Sequence, residues 1–115
     1  MSDQVLIESE LIRLSTALDE ASQEYMVLCR VAAEKRDAYE LAKAKAMLKA
    51  TGSNADTRRA EVVSICADLM TASHIAEAQR DGMKERLRAL SDVLNALQTR
   101  AAFVREEMKL AGRFN

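Results

Sequence analysis

The sequence predicts an all-α fold: a long antiparallel helical hairpin, a two-helix coiled coil. Three observations predict it. Two apolar ladders step by alternating threes and fours, the spacing of a coiled-coil seam. No proline interrupts 115 residues, and helix formers such as alanine, leucine, lysine, glutamate and arginine dominate. One short polar turn, Thr51-Gly52-Ser53-Asn54, separates the ladders. The chain is read as a single domain, 1–115, with a helix over 3–51, a turn at 52–54 and a helix over 55–111.

The first helix carries Ile7, Leu11, Leu14, Leu18, Ala21, Tyr25, Leu28, Ala32, Tyr39, Ala42 and Ala46. Ser2 or Asp3 can cap its start, because their short side chains accept hydrogen bonds from free N–H groups. Lys43, Lys45 and Lys49 lie near its C-terminal end, where cations favour the helix dipole. Gly52 reads as a left-handed stop. Ser53 with Asp56 forms a variant capping box for the second helix, and Asn54 is the competing N-cap.

The second helix carries Cys66, Leu69, Ser73, Ala76, Arg80, Met83, Leu87, Leu90, Leu94, Leu97, Ala101, Val104 and Met108. A stop is expected near Gly112. Gly82 falls in mid-helix opposite Tyr25 in an antiparallel register, and reads as room for the tyrosine ring. Lys35 and Arg80 take seam positions, where their stems can pack while their heads reach solvent; Glu24 or Glu77 are the candidate partners for Arg80. Leucines concentrate at the open end of the hairpin and alanines near the turn. Most burial energy is therefore expected at the leucine end, at about 25 cal/mol per Å².

Further apolar residues, among them Val5, Ile12, Met26, Met47, Leu48, Ile65, Val93 and Phe103, lie off the seam. A two-helix rod cannot bury both sets, and aromatic content is only 3%. A homodimer, two hairpins making an elongated four-helix bundle, would cover them. Val104, Met108 and Leu110 lie where the second helix outlasts the first and form a candidate apolar partner contact.

Net charge is −1, which excludes a nucleic-acid binder on bulk charge alone. Its distribution is uneven. Residues 1–28 hold six carboxylates against Arg13, a net charge of −5. Residues 41–60 hold Lys43, Lys45, Lys49, Arg58 and Arg59 against Asp56, a net charge of +4. These five cations are the candidate contact for nucleic acid or an acidic protein partner. Ordinary solvation of the hairpin tip is the competing reading. No aromatic interleaves with them to stack bases.

The sequence carries no catalytic constellation, so no enzyme is expected. His74 is the only histidine, the glycines are isolated, and no HExxH or paired Cys/His spacing occurs. No cofactor or metal is expected. Cys29 and Cys66 stand more than ten residues out of antiparallel register, roughly 15 Å along the axis, too far for a disulfide. Reduced thiols imply the cytoplasm. Neither a signal peptide nor a membrane span is expected.

Segment 39–60 (YELAKAKAMLKATGSNADTRRA), segment 87–100 (LRALSDVLNALQTR) and the closing 104–108 (VREEM) resemble small helical coiled-coil proteins encoded in the early regions of tailed phages, among replication and recombination genes. The resemblance implies a DNA-metabolism setting, in a host cytoplasm, without a mechanism. It transfers no functional residue. The Trp-x-Gly turn of secreted helical hairpins is absent, since the chain has no tryptophan. The expected function is a non-enzymatic phage accessory protein acting by protein or nucleic-acid interaction. The alternative is a cytosolic chaperone or scaffold that binds helical protein segments.

Overall fold

The computed structural model describes residues 3–114, with side chains described for 3–112. Two α-helices form a hairpin: α1, Asp3–Lys49, of 47 residues, and α2, Ala55–Phe114, of 60. No strand occurs among the described residues. The Ser2 cap lies outside them. The fold class and the position of the turn agree with the sequence reading; the helix ends differ slightly. Helix α1 stops at Lys49 rather than residue 51. Helix α2 runs through Gly112 to Phe114 instead of stopping at 111. A Cβ at Gly112 would meet nothing within 4 Å, so nothing there forces the helix to end.

The connection is held by side chains rather than by a left-handed glycine. No described glycine has a positive φ. Gly52 is instead required by close approach. A Cβ there would stand 2.8 Å from Thr57 Cγ2 and 2.9 Å from the Arg58 backbone nitrogen. Asn54 is the N-cap of α2: the Thr57 N–H donates to Asn54 Oδ1 at 2.8 Å, and the Arg58 N–H donates to the Asn54 carbonyl at 3.1 Å. The Ser53 capping box is thus set aside. Two further bonds close the turn. The Thr51 N–H donates to Glu61 Oε2 at 3.0 Å, and Arg58 Nη1 donates to the Gly52 carbonyl at 3.0 Å. Asn54→Ala is expected to cost about 1 kcal/mol, readable as a lower urea midpoint with unchanged slope.

The chain divides into two compact units. Residues 25–82 contain the turn and a core of small side chains. Ala32, Ala46, Val62, Cys66, Ser73 and Ala76 are buried. Tyr39, Ala42 and Ala50 pack against the cluster of Ala46, Val62 and Cys66. Arg36 and Glu77 pair across the helices at 3.9 Å. Both ends of that pair are partly exposed, so it marks register more than it stabilises. The two polar seam residues both reach solvent. Lys35 is exposed. Arg80 forms its ion pair with its neighbour Asp81 at 3.0 Å, and Glu77 acts on it electrostatically without an ion-pair contact. Leu69 is 38% exposed and stands outside the buried stripe.

Gly82 is also corrected. A Cβ at this position would meet nothing within 4 Å, so the glycine makes no room for the Tyr25 ring. The Cys29 thiol, one turn further along α1, holds the Tyr25 hydroxyl above the ordinary phenol range. A glycine without a packing role in mid-helix carries only the entropic cost. Gly82→Ala should therefore raise stability by about 0.5–1 kcal/mol. Thermal unfolding followed by helical circular dichroism would show it.

The second unit, residues 1–24 with 83–115, is the leucine-rich one. Ile7, Leu14 and Ala21 are buried. Leu11, Leu87, Leu90, Leu94 and Leu97 are half-buried. Glu10 and Arg13 pair at 2.7 Å on its surface, and that hydrogen bond holds the Glu10 carboxyl below the usual range. A depressed folded pKa contributes stability above the unfolded value, which is lost as pH falls through the folded one. Arg13→Ala should move the Glu10 carboxyl upward in an NMR titration.

Candidate functional site

Near the turn the two helices leave an open groove of about 550 Å³. Helix α1 contributes Tyr39, Lys43, Met47 and Ala50, positions three or four residues apart and so on one face. Helix α2 contributes Ala55, Arg58, Arg59, Val62, Val63, Cys66 and Met70. The space arises locally. Ala50 and Ala55 flank the turn with single methyl groups. The seam below is built from Ala46, Val62 and Cys66, which bury little volume. Met47 and Val63, each 61% exposed, stand on the walls, and Cys66, 2% exposed, lies at the base.

Three cations rim this apolar surface. The Lys43 ammonium lies over the Tyr39 ring, 5.9 Å from its centroid, within cation–π range. Arg58 spends one donor on the Gly52 carbonyl. Arg59 meets Asp56 at 3.7 Å with both side chains largely exposed, a contact worth little in water. The groove is therefore greasy at its base and positive at its edge, from both helices. That arrangement suits a helix with an apolar stripe flanked by carboxylates. It offers no nucleophile with an adjacent base, and among the described residues no three of His, Cys, Asp and Glu group as metal ligands.

No protein-family model, curated protein or solved structure matches the chain.

The five cations singled out in the sequence separate into two sets. Lys43, Arg58 and Arg59 line the groove. Lys45 and Lys49 are exposed and do not. Of the expected apolar contact, Val104 is half-buried and lines a small cleft of about 120 Å³ with Ile7, Leu11 and Ala101. Met108 and Leu110 remain 52% and 50% exposed. Sequence reasoning placed Met47 off the seam but did not join it with Val63 and Met70 as walls of one groove. The signal was present: Lys43 and Met47 follow the seam residue Tyr39 at i+4 and i+8, a spacing that puts the three on one face as it drifts off the seam. No described helix is long and apolar enough to cross a membrane.

Proposed function

We propose that this chain is a non-enzymatic interaction protein whose groove near the turn docks an acidic, amphipathic helical segment of a partner protein. The carrying observation is the apolar base between Tyr39, Met47, Val62, Val63, Cys66 and Met70, rimmed by Lys43, Arg58 and Arg59. The likeness of segments 39–60 and 87–100 to phage early-region proteins supports an accessory role in DNA replication or recombination in a host cytoplasm. Self-association as a homodimer is part of the same reading. It would cover residues such as Val5 and Ile12, 45% and 70% exposed. Protein docking is favoured over nucleic acid because the groove is mostly hydrocarbon, with Tyr39 its one aromatic.

The test uses two labelled probes in fluorescence anisotropy with the full chain. One is a designed helical peptide with leucines at i, i+3, i+4, i+7 and glutamates elsewhere; the other is a short DNA duplex. The peptide is expected to bind and to lose about tenfold in affinity on Met47→Asp, the equivalent of about 1.4 kcal/mol. Steeply salt-dependent duplex binding, indifferent to Met47→Asp, would reject the reading in favour of a phosphate contact.

A further inference from the structure

We propose that the groove is occupied, in the absence of a partner, by the acidic N-terminal segment of a second copy of this chain. It rests on the reading of the groove as a dock for acidic amphipathic helices, and it adds a regulation: self-association and partner docking compete for one site.

Charge selects the occupant. Residues 3–24 hold Asp3, Glu8, Glu10, Asp19, Glu20 and Glu24 against Arg13, a net charge of −5. Residues 29–40 and 61–115 each balance to zero. Residues 3–24 are the most acidic stretch of the chain, exceeding residues 61–79, where Glu61, Asp68 and Glu77 give −3. Shape agrees. Val5 and Ile12 are one heptad apart on α1, 45% and 70% exposed, on the side away from buried Ile7 and Leu14. Glu8 and Asp19 lie within about 60° of them around the helix and are exposed. Among the described residues they accept long bonds from Gln4 and Gln23, both 3.4 Å, and meet no cation. Glu10 is different, since Arg13 already neutralises it. The segment thus offers an apolar pair beside carboxylates, to a groove with apolar walls beside Lys43 and Arg59. Two copies can exchange segments reciprocally, forming both contacts in one symmetric pair.

Light scattering coupled to size exclusion, on the full chain across concentration, reads the outcome. Wild type is expected to form a dimer. Lys43→Glu/Arg59→Glu, and separately Glu8→Lys/Asp19→Lys, should each raise the dimer Kd by tenfold or more through like-charge contact. Arg58 is left intact because it holds the turn. Mixing the two variants should restore the dimer, since every contact in the mixed pair is again opposite in sign. A chain carrying all four substitutions should also dimerise, with helical circular dichroism confirming that each variant is folded. A second readout adds the glutamate–leucine probe peptide, which should dissociate wild-type dimers.

A monomer at every concentration overturns the proposal, as does a dimer indifferent to both reversals. A monomer that still binds the probe at Met47 removes only the second-copy occupant and leaves partner docking standing. A charge-sensitive dimer that never yields to the probe removes the partner-docking reading, and the competition with it.

Discussion

Leu14→Ala should lower the unfolding free energy by about 3 kcal/mol, within the 2–5 kcal/mol that buried leucine truncations cost. Leu14 is 4% exposed, and with Ile7 it is one of two large aliphatic side chains buried among the described residues of the leucine-rich unit. Its neighbours on the ladder, Leu11 and Leu18, are already half-exposed. They have no second layer behind them to push into the vacated space. The loss therefore combines a transfer contribution with a gap that does not close. Leu48→Ala provides the contrast. At 89% exposure it should change stability by less than about 0.5 kcal/mol. Urea unfolding of both variants, followed by helical circular dichroism, checks the pair. A Leu14 variant costing under about 1 kcal/mol would mean that this part of the seam is not packed as described.

Ala32→Leu should be the second most damaging change, at about 1–3 kcal/mol. Ala32 is 1% exposed, so the added carbons meet packed neighbours rather than water. Helix propensity is not the reason, because leucine and alanine are both strong formers. The cost comes from forcing the helices apart at a point of close approach. Ala44→Leu makes the same chemical change on the exposed side of α1 and should be nearly neutral. Equal effects at both positions would show that α1 contributes no close contact at Ala32.

The hairpin was legible because seam spacing and the absence of proline both constrain a long helix, and one polar turn left one place to fold back. Helix ends and glycine roles were less legible, because they depend on atoms brought near by folding. Gly52 reads as a left-handed stop from sequence alone. Only the positions of Thr57 Cγ2 and the Arg58 nitrogen reveal that it is required for proximity. Gly82 fails in the opposite direction: register puts it near Tyr25, yet a Cβ there would meet nothing within 4 Å. The basic tip was legible as composition. Its division into three groove cations and two outlying lysines was not, since Lys43 and Lys45 are near in sequence but point about 200° apart around a helix. Met70 lines the groove while Leu69 is partly exposed, a one-residue distinction that a ladder with alternating steps does not resolve.

The two thiols provide an internal clock for the molecule. Cys66, 2% exposed at the base of the groove, can meet a bulky alkylating reagent only when the arms around it separate. Cys29 is partly accessible in the closed form. Under conditions where closing outpaces alkylation, the ratio of their labelling rates counts how often the hairpin opens near its turn, expressed as a free energy of local opening. Anything seated in the groove should slow the Cys66 reaction while leaving Cys29 unchanged, so occupancy can be timed without attaching a dye.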